Sequence, residues 1–446
     1  MIRRIAGILA LALVAGCANA SHDAVPRWNA FASSQTTPIR HVVIVIQENR
    51  SFVNLFRGFP GADAPSFGYD GRHKIPLTPV RLNDPRAIEN NYSDAIVSWN
   101  HGRMDGFGRE NLYGANRLLP YSYVRRADIA PYWALARQYV LADRMFPTEF
   151  GPSYTAHLDL IAANTNMNSA SIAQVDAPNQ TPWGCDAPVG TRTFLLNAQR
   201  VESFPGPFPC FKQFPTIADT LDAAGVSWRY YAPPLTNTGG QVWSEFESVH
   251  SVRYGPDWKN VVTPETRILT DAAHGSLAGV SWVVPDWKNS DHTGSGGNGG
   301  PSWVASIVNA VGESSQWNTT VVVVLWDDWG SWYDDARPPQ LDFRGLGIRV
   351  PCIVISPYAR VAPGAAAGYV SHTQYEYGSI LKLVEQIFNL PAIGPPALGF
   401  TDTRAASLID TLDFTQTPRP FRPIAAPLSA AHFLTEKSSL VPPDDE

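Results

Sequence analysis

Two apolar runs in this chain end in pairs of acid or amide side chains, and this feature constrains the fold most strongly. Residues 41–47 (HVVIVIQ) lead directly into Glu48-Asn49, and residues 319–326 (TTVVVVLW) lead directly into Asp327-Asp328. Uninterrupted runs rich in β-branched residues are typical of parallel strands that are buried on both faces. The chain is therefore expected to build a parallel sheet in which both runs are central strands.

The polar pairs lie where an open parallel sheet binds its ligands, just beyond the carboxyl ends of its strands. If the two strands are neighbours, three carboxylates and one amide oxygen meet at one point. Oxygen ligands in this number suit a divalent cation. We therefore predict a site for one divalent metal ion, whose identity the sequence leaves open, with the ligands Glu48, Asn49, Asp327 and Asp328. The alternative is that each acid only caps a loop or a helix.

The order of the predicted elements indicates an α/β fold. Further buried strands are predicted at 226–231, 280–284 and 350–356, and helical spacing occurs at 128–140, after Pro152, and at 215–224, 303–311 and 375–390. Strands that alternate with helices predict a mainly parallel central sheet covered by helices on both faces, which is a three-layer sandwich.

The chain is expected to divide into three parts. Residues 1–20 have the pattern of a signal peptide, residues 35–400 form one catalytic domain, and residues 401–446 form a proline-rich arm that ends in a disordered tail. Two stretches inside the domain, at about 60–125 and 165–212, are polar and punctuated by prolines. They are predicted to be long loop insertions over the edge of the sheet.

The first twenty residues predict export. Arg3-Arg4 precede an apolar stretch, residues 5–15, that is too short to span a bilayer. It ends in Val14-Ala15-Gly16-Cys17, which resembles a bacterial lipobox with Cys17 as the lipidated residue, and an ordinary cleavage site at Ala18-Asn19-Ala20 overlaps it. We expect a cell-envelope lipoprotein, periplasmic or on the surface, that contacts the membrane through its lipid anchor. The alternative is a freely secreted protein.

The charge of the chain and its cysteines further limit the class of protein. The formal net charge is −6 and no run of Lys or Arg exceeds two residues, which is unlike the basic footprint of a protein that binds nucleic acid. Export permits disulfides. Cys185 and Cys210 lie in one stretch rich in proline and glycine and are the expected pair. Cys352 lies inside a predicted strand and is expected to be a buried free thiol.

Two polar segments are candidates for catalysis. Ser153 follows Gly151-Pro152 and precedes an apolar stretch with helical spacing, which puts its hydroxyl at a helix N-terminus, where N–H groups favour phosphate or another anion. The same position is also the commonest helix cap. His292 ends the segment Asn289-Ser290-Asp291-His292, after the strand at 280–284 and before a glycine run. A histidine there suits a proton donor or a metal ligand under a mobile cover.

These segments, in this order, resemble the bacterial phosphoesterase family that includes phospholipases C and acid phosphatases and has the alkaline-phosphatase-like fold. The resemblance covers residues 41–390, and the stretch 414–424 also looks like the C-terminal arm of the family. The matching segments are Gln47-Glu48-Asn49-Arg50-Ser51-Phe52, Met104-Asp105-Gly106-Phe107, Gly151-Pro152-Ser153, Asn289-Ser290-Asp291-His292, Trp326-Asp327-Asp328-Trp329-Gly330, Tyr333-Asp334, Pro338-Pro339 and Ser371-His372-Thr373-Gln374-Tyr375-Glu376. The first and the fifth of these are the most specific.

The resemblance implies metal-dependent hydrolysis of phosphate esters, with a phosphomonoester or a phospholipid as substrate. It implies that the serine attacks phosphorus while the cation neutralises phosphate charge and lowers the pKa of the serine hydroxyl. It also implies a histidine that serves the phosphoryl group or the leaving group. Glu48, Asn49, Asp327 and Asp328 match the metal ligands of the family. Ser153 matches the nucleophile, and His292 matches this histidine.

The chain departs from the family pattern at four places. No histidine occurs within 85–100, where the family usually has one, and the usual Tyr-Asp-His becomes Tyr333-Asp334-Asp335. The usual Gly-Gly becomes Gly330-Ser331, and Val53 stands where an aspartate is common. The positions that match metal ligands and nucleophile are all intact, so the sequence still predicts an enzyme.

Two other functions compete with this prediction. Ser153, then Asp327 or Asp328, then His372 follow the chain order of the triad in an α/β-hydrolase esterase. Two features argue against an esterase of this fold. The serine lies in Gly-Pro-Ser-Tyr-Thr instead of Gly-x-Ser-x-Gly, and no buried strand is predicted to run into it. The second alternative is a catalytically weak surface lipoprotein that keeps the fold as a binding module.

Overall fold

The computed structural model describes residues 37–110, 116–169, 171–212 and 214–439. The expected signal peptide with Cys17 and the end of the expected tail, 440–446, lie outside these residues. The strands are, in chain order, β1 (His41–Gln47), β2 (Phe67–Asp70), β3 (His73–Pro76), β4 (Thr78–Val80), β5 (Ser122–Val124), β6 (Val140–Phe146), β7 (Asn166–Ser169), β8 (Ile172–Gln174), β9 (Leu195–Asn197), β10 (Glu202–Ser203), β11 (Trp228–Tyr231), β12 (Val261–Val262), β13 (Val280–Val283), β14 (Thr320–Trp326), β15 (Val350–Ile355), β16 (Tyr369–Ser371) and β17 (Tyr375–Glu376).

Nine of the described strands form one central sheet, in the order β12-β11-β13-β1-β14-β15-β6-β16, with β17 also paired to β6. β15 runs antiparallel to its neighbours β14 and β6, and the other pairings in this sheet are parallel. The predicted α/β fold with a mainly parallel sheet is confirmed. β14 is buried at every position, as expected for a strand that is covered on both faces.

The two strands that carry the polar pairs are neighbours in this sheet. β1 pairs with β14 in parallel, from His41 opposite Thr320 to Gln47 opposite Trp326. Because the register is kept along the whole of both strands, the two polar pairs leave the sheet side by side. The predicted adjacency of the pairs is confirmed.

Helices cover both faces of the sheet. The described helices are α1 (Phe52–Phe56), α2 (Tyr92–Trp99), α3 (Ala130–Gln138), α4 (Ser153–Ala162), α5 (Ile217–Ala223), α6 (Thr238–Val242), α7 (His250–Arg253), α8 (Arg267–Ala273), α9 (Gly300–Gly312), α10 (Tyr377–Phe388) and α11 (Ala430–Thr435). On one face α3, α8 and α9 pack together, and Tyr132 of α3 contacts Trp326 of β14 with ring centroids 4.9 Å apart. On the other face α4 packs with α5 and α10, and Trp282 of β13 donates to the Leu160 carbonyl of α4 at 3.1 Å. The predicted three-layer arrangement is confirmed.

The sequence does not indicate β6, although it is a strand of the central sheet. α3 ends at Gln138, earlier than the predicted helix, and β6 begins two residues later. Its sequence VLADRMF contains Asp143 and Arg144, so it lacks the uninterrupted apolar run of the other central strands. β6 ends at Phe146, and residues 147–152 separate it from Ser153 at the start of α4.

The two predicted insertions contain small sheets of their own. The stretch 60–125 holds α2, the antiparallel pair β2-β3 and the parallel pair β4-β5. The stretch 165–212 holds β7 to β10, which form a four-stranded antiparallel sheet. The insertions touch each other, since the Tyr92 N–H donates to Asp176 Oδ1 at 2.8 Å.

The predicted pairing of the cysteines is confirmed. Cys185 and Cys210 form a disulfide with their Cα atoms 4.5 Å apart, and Cys352 is free and buried. Burial raises the pKa of the Cys352 thiol, because the thiolate would lose its hydration. A bridge that closes a loop of this length stabilises the fold by about 3 kcal/mol in the loop-entropy description.

The described part of the C-terminal arm, 401–439, lies against the domain. Asn309 of α9 and Ile424 exchange two hydrogen bonds, of 2.9 and 2.8 Å. Phe433 of α11 packs against Trp303, with ring centroids 5.3 Å apart. In the part of the chain that the structure describes, no helix is long and apolar enough to cross a membrane.

Candidate active site

The carboxyl ends of β1, β6, β13 and β14 face one edge of the sheet. β13, β1 and β14 are parallel, and β6 has the same direction because β15 runs antiparallel to both β14 and β6. Each predicted site residue follows one of these ends: Glu48 and Asn49 follow β1, Ser153 follows β6, His292 follows β13, and Asp327 and Asp328 follow β14. The topology therefore collects residues that are far apart in the chain.

Ser153 is the first residue of α4, because Pro152 before it is extended (φ −81°, ψ −171°) and acts as the N-cap residue. The Ser153 hydroxyl lies 3.3 Å from Asp328 Oδ2 and 3.5 Å from Glu48 Oε2, and it can donate to either carboxylate. Glycine is required at Gly151, since a Cβ there would lie 2.3 Å from a hydroxyl oxygen of α4. The serine thus meets the acids at a helix N-terminus.

His157 lies one turn further along α4, on the same helix face as Ser153. Its Nε2 is 3.3 Å from Glu48 Oε1 and 3.9 Å from Asp327 Oδ2, and all three side chains are fully buried. The ligand atoms of these three residues lie within 4.8 Å of one another. His157 is absent from the predicted site, although its spacing of four residues from the serine is a signal that could have found it.

The group formed by Glu48, His157 and Asp327 fits a metal ion. Asp327 Oδ2 is buried and has no hydrogen-bond partner among the described residues. Two buried carboxylates that face each other repel, and an uncompensated buried charge costs several kcal/mol. A divalent cation with bonds of about 2.0–2.6 Å to carboxylate and imidazole atoms would satisfy this oxygen and remove the repulsion.

Two turns with positive φ bring the polar pairs together. Asn49 has φ 54°, which asparagine tolerates better than most residues, and its N–H donates to Asp327 Oδ1 at 2.8 Å. Gly330 has φ 57°, and a Cβ on it would lie 2.1 Å from the Asn49 carbonyl oxygen, so only glycine fits there. The Gly330 N–H donates to Asp328 Oδ1 at 2.7 Å. Each aspartate therefore has one oxygen fixed by the main chain.

His292 lies in the segment that follows β13. Its Nδ1 lies 2.7 Å from the Thr293 carbonyl oxygen, and it must donate because a carbonyl only accepts. The segment is tied to β1 through the Gln47 side chain, which accepts from the Asp291 N–H at 3.1 Å and donates to the Asn289 carbonyl at 3.2 Å. These bonds hold the histidine segment next to the end of β1.

Asp291 anchors the same segment from within the core. Its carboxylate accepts from Tyr132 Oη at 2.8 Å and Trp326 Nε1 at 2.9 Å, and its carbonyl accepts from Arg50 Nε at 2.7 Å. Burial raises the pKa of Asp291 to about 6, although Arg50 opposes the shift. Burial likewise lowers the pKa of Arg50 to about 10 against the effect of Asp291. Loss of hydration outweighs the mutual attraction in both groups.

The structure brings the predicted Ser153, Glu48, Asp327 and Asp328 into one group. The described contact between Asn49 and this group is made by its main chain, so the ligand role of its side chain stays a prediction. The role of His292 stays a prediction as well.

One contact of Asp328 was not expected from the sequence. Asn90, from the first insertion, was not predicted, and its Nδ2 donates to Asp328 Oδ2 at 2.9 Å. No local pattern in the sequence indicates this contact.

His372, the histidine of the alternative triad, has its Nδ1 2.9 Å from Asp143 Oδ2 and a side chain that is 59% exposed. It is therefore paired with an acid other than Asp327 or Asp328.

Comparison with known proteins decides the family. A sequence profile described as the phosphoesterase family matches residues 39–391 of this chain. The chain belongs to the phosphoesterase family. Membership makes it a phosphoric ester hydrolase, which confirms the family and the enzyme class that the sequence predicts.

Several curated members of this group of enzymes are similar to the chain. Phospholipase C A of Mycobacterium tuberculosis is 26% identical over 469 residues, which cover 89% of this chain and 81% of that protein. Non-hemolytic phospholipase C of Pseudomonas aeruginosa is 25% identical over 419 residues, which cover 80% of this chain and 55% of that protein. Non-specific phospholipase C6 of Arabidopsis thaliana is 22% identical over 443 residues, which cover 90% and 77%.

Solved structures also show a likeness. One is a protein in the alkaline phosphatase superfamily from Vibrio parahaemolyticus, with a TM-score of 0.39 and 11% sequence identity. The aligned part covers 84% of this chain and 72% of that chain.

Proposed function

We propose that this phosphoesterase uses Ser153 as a nucleophile, assisted by one divalent cation, to hydrolyse a phosphodiester of the phospholipid type. The observation that carries the proposal is the serine hydroxyl at the first turn of α4, 3.3 Å from Asp328 Oδ2 and 3.5 Å from Glu48 Oε2. A hydroxyl in this position has acceptors for its proton and faces the N-terminal N–H groups of a ten-residue helix, which favour an anion.

Ser153, Asp328 and His292 each have a separate role in the proposed reaction. Ser153 Oγ forms a bond to phosphorus while the bond from phosphorus to the leaving-group oxygen breaks, and the serine proton moves toward Asp328 Oδ2. His292 in its protonated form gives a proton to the leaving oxygen. Water then attacks the phosphorus of the serine ester, which still carries the second ester group, and gives a proton to His292. The bond from phosphorus to Oγ breaks, and Oγ takes back the proton held by Asp328 Oδ2.

Four residues at the strand ends and on α4 would hold the cation: Glu48, His157, Asp327 and Asp328, with the Asn49 amide as a further ligand. When bound, a divalent cation neutralises phosphate charge and lowers the pKa of a nearby hydroxyl. Carboxylates combined with an imidazole suit Zn²⁺ or Mn²⁺ better than Mg²⁺ or Ca²⁺, which prefer oxygen ligands. We therefore expect a first-row transition metal.

His157→Ala is expected to weaken Zn²⁺ binding by at least about 10–100-fold, the loss that removal of a residue supporting a metal ligand already causes. The measurement is a competition titration with a chromophoric chelator on the folded protein. His274→Ala, which removes an exposed histidine at the end of α8, is the matched control and should bind the metal normally. Equal affinity in His157→Ala and wild type would exclude His157 as a ligand.

The curated relatives are phospholipases C, and this supports the proposed substrate class. An aryl phosphate, an aryl phosphodiester and phosphatidylcholine, assayed side by side with and without chelator, test the proposal. We expect hydrolysis of the diester and of phosphatidylcholine, loss of both activities with chelator, and their return with Zn²⁺ or Mn²⁺. Hydrolysis of a carboxylic ester that resists chelator would support an esterase instead. No hydrolysis of any phosphate ester would support the binding-module alternative.

We further infer that the protein is exported, as a lipoprotein anchored through Cys17 or as a secreted protein. The disulfide between Cys185 and Cys210 supports this inference, because such bridges persist in oxidising compartments. Fractionation of the producing cell, with metabolic labelling by a fatty acid, would separate the two forms. Unlabelled protein in the cytoplasm would contradict the inference.

A further inference from the structure

The turn that follows Asp328 is held in an unusual backbone conformation. Two successive residues, Gly330 and Ser331, have φ values of 57° and 58°. Glycine adopts this conformation freely, but serine is strained in it. Backbone strain persists only where the surrounding structure imposes it, and it is found most often at functional sites.

A hydrogen bond of the Ser331 side chain connects this turn to the segment that contacts Asp328. Ser331 is fully buried, and its hydroxyl donates to the carbonyl of Glu89 in the first insertion. The next residue is Asn90, whose side-chain amide donates to Asp328 Oδ2 at 2.9 Å. Two adjacent residues of the insertion are therefore bonded to the same turn, one at each end.

The Asn90 amide acts on the oxygen that faces the serine. Asp328 Oδ2 accepts from Asn90 at 2.9 Å and lies 3.3 Å from the Ser153 hydroxyl. The other oxygen, Oδ1, accepts from the Gly330 N–H at 2.7 Å. The donors other than Ser153, Asn90 on Oδ2 and Gly330 on Oδ1, orient the carboxylate with Oδ2 toward Ser153.

We propose that Asn90 and Ser331 are positioning residues that fix the Asp328 carboxylate for the reaction at Ser153. Ser331 holds the Glu89 carbonyl, which sets the place of Asn90, and Asn90 holds Oδ2. The first insertion is thereby part of the catalytic apparatus. This inference rests on the proposed function, because it assumes that Asp328 acts on the serine.

A double-mutant cycle tests the inference. Asn90→Ala should lower kcat on an aryl phosphodiester by about 10–100-fold, the effect expected for loss of a hydrogen bond to a charged group, with little change in KM. Ser331→Gly removes the bond that sets the place of Asn90 and should lower kcat by up to the same factor. The double variant should be no slower than Asn90→Ala, because both residues act through one carboxylate. Ser93→Ala, an exposed hydroxyl in the same insertion, is the matched control and should keep the wild-type kcat.

Thermal melting separates positioning from folding. Ser331→Gly should melt near the wild-type temperature, because relief of the left-handed strain offsets the lost hydrogen bond, while Ser331→Ala keeps the strain and should melt lower. Unchanged kcat in Ser331→Gly, or additive losses in the double variant, would overturn the inference. A wild-type protein that hydrolyses none of the phosphate esters would instead overturn the proposed function.

Discussion

Ser153→Ala is expected to lower kcat for a phosphate ester by at least about 10⁴-fold, the size of loss seen when an enzyme loses its nucleophile. The change removes one hydroxyl from the first turn of α4, where the serine is fully buried between Glu48 and Asp328. Alanine is a good helix former and leaves the backbone of α4 intact. Folding and metal binding should therefore be close to wild type while turnover is lost.

The control for this variant is Ser302→Ala, which removes another buried serine hydroxyl from the start of a helix, α9. It should keep wild-type turnover, since the Ser302 hydroxyl accepts a hydrogen bond from the Leu428 N–H at 3.3 Å, in the C-terminal arm and not in the site. Near-normal turnover in Ser153→Ala would show that the covalent route is wrong and that water attacks phosphorus directly. A phosphate ester on Ser153, still carrying the second ester group of the substrate, recovered after a rapid acid quench would be direct support.

His292→Ala is expected to slow turnover by about 10²–10⁴-fold, the usual contribution of a positioned acid or base. The loss should depend on the leaving group, which distinguishes a proton donor from a residue that only shapes the loop. Esters of alkyl alcohols need a proton on the leaving oxygen and should show the full loss. Esters of nitrophenols leave without one and should show little.

A suitable control is His250→Ala, because His250 also packs against an aromatic ring, with its centroid 5.0 Å from that of Tyr254. His292 packs in a similar way, 4.6 Å from Trp287. The control should hydrolyse alkyl and aryl esters at wild-type rates. An equal loss on both classes of ester in His292→Ala would contradict the proton-donor role.

The parts of the fold that sequence patterns predicted are those with strong local signals. β1 and β14 are uninterrupted apolar runs, and the rule for parallel sheets then placed Glu48 and Asp327 at one edge. Ser153 was placed at a helix start because Gly151-Pro152 cannot continue a helix from before it. These inferences needed only short stretches of chain and one topological rule.

The parts that were missed depend on contacts between distant segments. β6 carries Asp143 and Arg144, so its strand character comes from its place beside β15 and not from an apolar run. His157 becomes a partner of Glu48 only because α4 packs beside the end of β1. Asn90 reaches Asp328 across 238 residues of sequence, from an insertion whose own pattern is irregular.

Stereochemistry at phosphorus tests the serine mechanism most directly. The experiment uses a phosphodiester whose phosphorus is made chiral with oxygen isotopes, and it follows transfer of the phosphorus group to an alcohol acceptor by the wild-type protein loaded with metal. Attack by Ser153 followed by attack of the acceptor on the phosphorus of the serine ester gives two in-line displacements, so the account predicts retention of configuration. Inversion would require a single displacement and would contradict a covalent intermediate on Ser153.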